Sequence, residues 1–211
     1  MSVDISNDET VIVDYDAGNL HSVRRACHEI GLAAEVSADP DRVRRASRVI
    51  FPGVGAAGSA MQSLLDRGLD AALKEVLQRG QPVLGICLGL QISLQHSQEN
   101  DTQTLGLLPG RVRRFNFDRI ELKIPHMGWN EVTVVQDHPV LRGIEPGDEF
   151  YFVHGYYPEP DDPETIYAQT EYETRFACAI GRENYFATQF HPEKSGRVGL
   201  RLIDNFSKWY V

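Results

Sequence analysis

Cys87 lies where a catalytic nucleophile would be placed. The residues before it are apolar, as in a buried strand, and the apolar spacing of residues 88–96 predicts a helix, so the cysteine falls on the turn between them. Gly85 and Gly89 stand two residues to either side, where small residues relieve crowding at a strained turn. This pattern predicts a nucleophile elbow, in which the helix end favours the thiolate and directs the Leu88 N–H toward an oxyanion.

A base for this cysteine stands near the C-terminus. The residue type of Cys87 fits a small buried hydrophobe equally well, so the presence of a base is needed to decide. His191-Pro192-Glu193 follows a predicted strand and therefore lies on the same edge of the sheet as the elbow. The proline imposes a turn or extended geometry in which the carboxylate holds one imidazole nitrogen and the other faces outward. We therefore predict a catalytic triad of Cys87, His191 and Glu193.

A glycine-rich loop follows an earlier predicted strand and reads Pro52-Gly53-Val54-Gly55, with Gly58 three residues further on. The spacing fits a dinucleotide fingerprint, but a proline opens the loop and no acidic ribose partner stands out at the end of the next strand. We interpret the loop instead as backbone N–H groups that face an anion beside the cysteine. It would form the second half of an oxyanion hole.

The loop from Asp14 to Asn19 lies between a predicted strand at residues 11–13 and a predicted helix. Its aspartates, Asp14 and Asp16, could indicate a phosphotransferase nucleophile. No threonine, serine and lysine set follows to complete a phosphate site, which argues against that chemistry. A loop at this edge of the sheet is expected to face a ligand or a partner.

The order of predicted elements indicates the fold class. Up to residue 96 the order is β-α-β-α-β-α-α-β-α, which is typical of a parallel sheet with helices on both faces. From residue 105 on, short strand-like runs at hairpin spacing predict an antiparallel or mixed extension of the sheet. These runs are residues 111–117, 131–135, 150–153, 165–170, 176–181 and 185–190. A final helix presents one apolar face, formed by Val198, Leu202, Phe206 and Trp209.

The composition of the 211-residue chain fits a single domain, which we place at residues 10–211 after a flexible segment at residues 1–9. Lys and Arg number 21 against 30 Asp and Glu, and the net charge of −9 argues against a nucleic-acid-binding surface. Three widely separated cysteines fit reduced thiols in a cytoplasmic protein and show no metal-type pairing. No signal-peptide pattern and no apolar run of membrane-spanning length is present.

The elbow, the Pro-Gly-x-Gly loop and the His-Pro-Glu run together resemble the class I glutamine amidotransferases. The order cysteine, histidine, glutamate differs from that of the α/β-hydrolases, in which the acid precedes the histidine. Residues 125–130 (PHMGWN), 151–154 (YFVH) and 189–195 (QFHPEKS) are further similar to the glutaminase subunits of imidazole glycerol phosphate synthase. The resemblance covers nearly the whole chain from about residue 11. It implies a flavodoxin-like, three-layer αβα fold with a mainly parallel central sheet.

The resemblance implies a role for each motif. Cys87 would attack the side-chain amide of L-glutamine, His191 would pass the thiol proton to the departing ammonia, and Glu193 would orient the imidazole. The resulting thioester would be cleaved by water, with no cofactor and no metal. Oxyanion donors would come from Gly53, Val54 and Leu88, and glutamine contacts from Gly55, Gln91, Gly155 and Tyr156. Gly155 departs from the family pattern, in which serine or threonine is usual.

The resemblance also implies a partner. The ammonia would pass to a (β/α)8-barrel cyclase subunit that forms imidazole glycerol phosphate in histidine biosynthesis, so the chain would act as one half of a heterodimer. Residues similar to the docking surface are Asn19, Met127, Trp129 and Lys194. Met127 and Trp129 fit a core position equally well, and Lys194 fits a solvated charge.

Two alternatives remain open from the sequence. The chain could be a paralogous glutaminase that serves another synthase, for example in surface-sugar amidation. It could also be a non-catalytic binding module on the same scaffold, although the intact triad argues against that.

Overall fold

The computed structural model describes residues 9–116 and 123–211. The helices in these ranges are α1 (Leu20–Glu29), α2 (Pro40–Arg45), α3 (Ala57–Arg67), α4 (Leu69–Gln78), α5 (Leu88–Gln91) and α6 (Gly196–Ser207). The strands are β1 (Thr10–Val13), β2 (Ala34–Ser37), β3 (Arg48–Gly53), β4 (Val83–Cys87), β5 (His96–Ser97), β6 (Thr102–Gln103), β7 (Gly110–Arg114), β8 (His126–Glu131), β9 (Thr133–Val134), β10 (Glu149–His154), β11 (Tyr156–Pro160), β12 (Ile166–Tyr172), β13 (Thr174–Arg182) and β14 (Tyr185–Thr188).

The predicted flexible segment lies outside the described residues except for Glu9. The carbonyl oxygen of Glu9 accepts hydrogen bonds from the N–H groups of Ser47 and Arg48, at 2.9 and 3.3 Å. Residue 9 is thereby fixed against the start of β3. The domain boundary at residue 10 stays a prediction.

The central sheet has the strand order β2-β1-β3-β4-β14-β13-β12-β9. Its first five strands are parallel, and β13, β12 and β9 continue it in antiparallel pairing. The predicted mainly parallel sheet with an antiparallel extension is confirmed. The expectation that all later strands extend this sheet is wrong, because β8 pairs with β10 and β7 joins β11, β5 and β6 in two separate sheets. Hairpin spacing predicts that strands pair, but it does not say which sheet they join.

Helices cover both faces of the parallel part. On β1, Val11 and Val13 pack in the same apolar cluster as residues of α2, α3 and α4. Ile12 lies between them and packs on the opposite face with residues of α1 and α6. This alternation places one buried layer on each side of the sheet, as a doubly covered parallel sheet requires.

The predicted helix at residues 88–96 is wrong beyond its first turn. α5 ends at Gln91, and the chain after it accepts backbone hydrogen bonds from a later loop: Leu105 N–H donates to Ile92 O at 2.9 Å, and Gly106 N–H donates to Leu94 O at 2.8 Å. Ile92 and Leu94 are both fully buried in this irregular conformation. Their apolar character therefore reflects burial, which is compatible with a helix but does not require one.

In the described ranges, no helix combines the length and the apolar character needed to cross a bilayer.

Candidate active site

The sequence around Cys87 forms the predicted elbow. Cys87 ends β4 with φ 54° and ψ −100°, a left-handed conformation that is rare for a residue with a side chain. A Cβ at Gly85 would lie 2.5 Å from the Tyr185 hydroxyl, and a Cβ at Gly89 would lie 1.9 Å from the backbone oxygen of Phe51. Glycine is therefore required on both sides of the cysteine, because any side chain there would collide with the neighbouring strands.

The strand order brings three distant segments to one edge of the sheet. β4 lies between β3 and β14, with Gly53 paired opposite Cys87 on one side and Thr188 opposite Ile86 on the other. The glycine loop therefore leaves its strand next to the cysteine. His191, three residues beyond β14, reaches the same edge from the other side, as the sequence predicted.

His191 and Glu193 form a closed pair. The imidazole Nδ1–H donates to Glu193 Oε1 at 2.7 Å, and both side chains are fully buried. The backbone N–H of His191 donates to Tyr151 O at 2.9 Å, and its carbonyl accepts from the Ser195 hydroxyl at 2.7 Å. The histidine is thus held by its main chain as well as by the carboxylate. This leaves the opposite nitrogen, Nε2, for Cys87.

The groups around His191 favour its protonated form. Burial lowers the pKa of His191, but the Cys87 sulfur and the Glu193 carboxylate outweigh it and raise the pKa to about 10. Nε2 is buried and has no hydrogen-bond partner of standard geometry within the described ranges. A nearby imidazole that favours its protonated form is suited to take the thiol proton and to stabilise a thiolate.

The oxyanion half of the site is arranged differently. Leu88 begins α5, so its N–H has no acceptor within the helix and is available at the elbow. The Val54 N–H, in contrast, donates to Ala17 O at 3.1 Å. In this state the predicted donor of the glycine loop is committed to another carbonyl. The role of Gly53 and Val54 in an oxyanion hole stays a prediction that requires this bond to open.

The residues predicted to hold glutamine lie on three segments of the chain. Gln91 ends α5 and donates from Nε2 to Tyr156 O at 2.9 Å, so the elbow helix and the Gly155-Tyr156 turn are joined directly. Gly55 lies across the elbow in the glycine loop, with φ 125°, and is exposed. Gly55 and Leu88 line one cavity, so the glycine loop adjoins the elbow helix. The role of these four positions in glutamine binding stays a prediction.

The nucleophile is nearly closed to solvent in the isolated chain. Cys87 is 6% exposed and His191 0%. A cavity of about 320 Å³ adjoins the glycine loop and is lined in part by Ala17, Val54 and Leu88, without direct contribution from either catalytic side chain. Substrate entry therefore requires some movement of the segments around the elbow.

The family scan and the curated relatives agree with this geometry. The model of the glutamine amidotransferase class-I family matches residues 11–208. The chain belongs to the class I glutamine amidotransferases. The imidazole glycerol phosphate synthase subunit HisH of Desulfovibrio desulfuricans is 51% identical over 203 residues, which cover 94% of this chain and 93% of that protein. The HisH subunit of Neisseria meningitidis serogroup A is 46% identical over 212 residues, covering 95% of this chain and 100% of that protein.

Solved structures share the fold of this chain at low sequence identity. PurLQS from Thermotoga maritima has a TM-score of 0.74 at 17% identity, with 95% of this chain and 97% of that chain covered. A structure described as glutamine amidotransferase has a TM-score of 0.72 at 16% identity, with 94% and 99% covered. The chain therefore shares its three-layer arrangement with these structures.

Two of the predicted docking residues lie on the surface. Met127 and Trp129 alternate with buried His126 along β8 and are 62% and 53% exposed, so the interpretation that they fill the core is wrong. Lys194 is also exposed, and its Nζ lies 5.8 Å from the centroid of the Tyr151 ring, which is in turn 6.1 Å from that of Trp129. These groups form an aromatic and cationic patch next to the amidotransferase triad.

Asn19 has a position that the sequence did not predict. It precedes α1 in a left-handed conformation, with φ 68°, and its Nδ2 donates to Oε1 of Glu193. The triad carboxylate therefore receives two hydrogen bonds on one oxygen, from His191 and from Asn19. The sequence placed Asn19 only among the docking residues, since no local pattern links a loop at residue 19 with a carboxylate at residue 193.

A buried histidine pair lies beside the Gly155-Tyr156 turn, which is predicted to bind glutamine. His154 Nδ1 donates to Tyr156 O at 2.7 Å, and His126 Nδ1 lies 3.3 Å from His154 Nε2. Burial lowers the pKa of His126 to about 4 and that of His154 to about 3. Both are therefore neutral at physiological pH and serve as hydrogen-bonding groups.

Among the described residues, no group of three or more His, Cys, Asp or Glu side chains is arranged to hold a metal ion. The expectation that the reaction uses neither metal nor cofactor stays a prediction.

Proposed function

We propose that this chain hydrolyses L-glutamine to L-glutamate and ammonia through a thioester on Cys87. The observation that carries the proposal is the convergence of Cys87, His191 and Glu193 at one sheet edge, with the 2.7 Å bond that holds the imidazole. Neither a buried structural cysteine nor a simple binding module would require this arrangement together with a strained elbow.

Each proton has a defined carrier in this mechanism. His191 Nε2 takes the thiol proton as the Cys87 sulfur bonds to the amide carbon, and it then gives the proton to the leaving nitrogen, which departs as ammonia. Water, deprotonated by the same imidazole, attacks the thioester carbon. As the C–S bond breaks, the imidazolium returns this proton to the Cys87 sulfur and glutamate is released. Glu193 holds the Nδ1–H tautomer throughout and stabilises the imidazolium.

The ammonia is passed to a separate cyclase subunit, which makes imidazole glycerol phosphate in histidine biosynthesis. The HisH relatives at 46–51% identity over almost the full chain support this assignment. The exposed patch of Met127, Trp129 and Lys194 is the surface that we propose for docking. The Val54 N–H, held by Ala17, gives a physical reason for dependence on the partner, because docking must release it before the oxyanion is stabilised. The proposed location is the cytoplasm, consistent with three unpaired cysteines.

The test is reconstitution with the cyclase subunit. Cys87→Ala is expected to abolish synthesis from glutamine and to leave synthesis from added ammonium intact, because the cyclase reaction needs only ammonia. Cys178→Ala, which removes another buried thiol, is the matched control and should retain both activities. If Cys87→Ala keeps glutamine-dependent synthesis, or if ammonium restores nothing although the complex forms, the proposal is wrong.

A further inference from the structure

Gln189 is a buried residue in direct contact with the nucleophile, and the mechanism above assigns it no role. It lies one residue beyond β14 and two before His191, and it is 0% exposed. Its Nε2 lies 3.6 Å from Cys87 Sγ, and its Oε1 accepts a hydrogen bond from Gln91 Nε2 at 3.1 Å. One amide therefore joins the sulfur to a residue predicted to bind glutamine.

The backbone carbonyl of Tyr156 fixes the direction of this amide. A carbonyl oxygen only accepts, so the group of Gln91 that lies 2.9 Å from it is the amide nitrogen. The same nitrogen faces Gln189, which must then present its oxygen to Gln91. Its own nitrogen is left to face the sulfur. A reversed Gln189 would place two donors against each other and an oxygen lone pair against Cys87.

The carbonyl of Tyr156 is itself firmly placed. It also accepts the Nδ1–H of His154 at 2.7 Å, and β11, which Tyr156 begins, pairs with β7. The direction of the donor at the sulfur is thus set by the fold and does not depend on a freely rotating side chain.

A donor at this place matters because the helix end gives the sulfur anion little support. α5 is a single turn of four residues, so its dipole is far smaller than that of the longer helix predicted from the sequence. A hydrogen bond to an ionised group is about twice as strong as one between neutral groups, and it is strengthened further in a buried site. The Gln189 N–H and the imidazole are both placed to stabilise the sulfur.

We propose that Gln189 is a further catalytic residue, whose Nε2–H donates to the Cys87 sulfur, stabilises its ionised form and holds it in position, while its Oε1 fixes the amide of Gln91. The inference rests on the proposed function, since it assigns the ionised sulfur the role of nucleophile. It links activation of the nucleophile to the placement of the glutamine-binding side chain through one residue.

The experiment measures alkylation of Cys87 by iodoacetamide in the complex with the cyclase, as a function of pH, with mass spectrometry to resolve the three cysteines. Gln189→Met keeps the length of the side chain and removes the donor. Its Cys87 should react about 10-fold more slowly at neutral pH, the size expected for a lost hydrogen bond to a charged group. The midpoint of the pH profile should move to higher pH. Synthesis from added ammonium should be unchanged.

The matched control is Gln136→Met. Gln136 also makes two side-chain hydrogen bonds, both as a donor, to Glu164 O at 3.1 Å and to Ile166 O at 2.6 Å, but it lies beyond β9 at the far edge of the sheet. Its substitution should leave the alkylation profile of Cys87 unchanged.

Alkylation of Gln189→Met at the unaltered rate with the unaltered pH midpoint would overturn the proposal, even if glutamine hydrolysis fell. If this variant loses ammonium-dependent synthesis through misfolding, Gln189→Glu decides, because it is nearly isosteric and replaces the donor with a negative charge. It should slow alkylation more than the methionine, and an unaltered rate again overturns the proposal.

In the unaltered chain, the side-chain amide protons of Gln189 should shift in NMR spectra when Cys87 is alkylated, and unmoved resonances would contradict the contact. This measurement decides the question if neither variant folds. A failure of the proposed glutaminase function would be recognised by a different result. Cys87→Ala would then keep glutamine-dependent synthesis, whatever the Gln189 variants do.

Discussion

The segments on the two sides of the elbow differ in whether their predicted catalytic groups are already in position. Beyond β14, His191 and Glu193 are joined by a 2.7 Å hydrogen bond and fully buried. Beyond β3, the Val54 N–H that should face the oxyanion donates 3.1 Å away to Ala17 O. The groups that move protons are therefore in place, whereas one group that would stabilise the transition state is not. If Val54 is an oxyanion donor, as predicted, control of activity would act on this side, because its N–H is held by Ala17 O and would have to turn to the oxyanion.

Removal of the base should have the largest effect. His191→Asn is expected to lower the glutamine-dependent rate of the complex by about 10²–10⁴-fold, the usual contribution of a positioned general base. Ammonium-dependent synthesis should not change. The comparison fails if the variant retains near-normal glutamine turnover, since the complete side would then contribute nothing.

Substitution of Val54 tests the incomplete side. Val54→Pro removes the N–H. We expect the isolated chain to turn over glutamine slowly, because its Val54 N–H is held by Ala17, so the substitution should leave that rate unchanged while the complex loses about 10²–10³-fold of its activation. Val54→Ala keeps the N–H and serves as the control, with activation close to normal. Glutaminase rates with and without the cyclase give the answer. Full activation of Val54→Pro would exclude this peptide as the donor.

A smaller effect is expected from the second hydrogen bond to the triad carboxylate. Asn19→Ala should lower the glutamine-dependent rate about 10-fold, because it removes a hydrogen bond to a buried charged group. The rate must be measured at saturating cyclase, and the affinity for the cyclase separately, since Asn19 is also a predicted docking residue. A variant that loses affinity but keeps its full rate at saturation would show that the Glu193 contact is not used.

The last prediction concerns stability in acid. The pKa of His126 is about 4 and that of His154 about 3 in the fold, both lowered by burial, against about 6.5 in an unfolded chain. The unfolded state therefore binds more protons as the pH falls below 6.5, so these groups reduce the free energy of unfolding from there down to pH 4. Above about pH 7 they add no pH dependence.

Urea unfolding at several pH values should show this decline. A His126→Gln, His154→Gln double variant should have a shallower slope between pH 6.5 and 4, whatever its absolute stability. An equal slope in the two proteins would mean that the histidines are not held neutral by the fold.

The first half of the chain was predictable because its signals are local. Each short β-branched run precedes an amphipathic helix, and Asp39 caps α2 by accepting the Asp41 N–H at 2.8 Å, next to Pro40. Likewise, the glycines around Cys87 indicate a tight turn, because a side chain at either position would collide with the neighbouring strands. The fold class and the edge that carries the triad follow from these patterns alone.

The second half was less predictable because its elements depend on distant partners. β11 was missed, since Pro158 and Pro160 argue against a strand unless it lies at a sheet edge, and β11 does end its four-stranded sheet. The predicted strand at residues 111–117 ends at Arg114, and its last residue lies outside the described ranges. Trp209, predicted on the final helix, lies just after α6 but is buried as expected.

The contacts that refine the site share this property. Asn19 meets Glu193 across 174 positions of the chain, and Gln189 meets Cys87 across 102. No local pattern carries such information. Gln189 stands out in the sequence only because residues 189–195 resemble the family, and that resemblance assigns it no role.

The short loop between β1 and α1 contacts both sides of the elbow. Its Ala17 carbonyl holds the Val54 peptide, and two residues later its Asn19 amide holds Glu193. Displacement of this one segment would therefore change both the stabilisation of the oxyanion and the placement of the acid. A sequence change here that freed Val54 without a docked cyclase would yield a well-folded protein that consumes glutamine and releases its nitrogen to no acceptor. Selection would then remove such changes because they waste the nitrogen of glutamine, although they would hardly alter the free energy of unfolding.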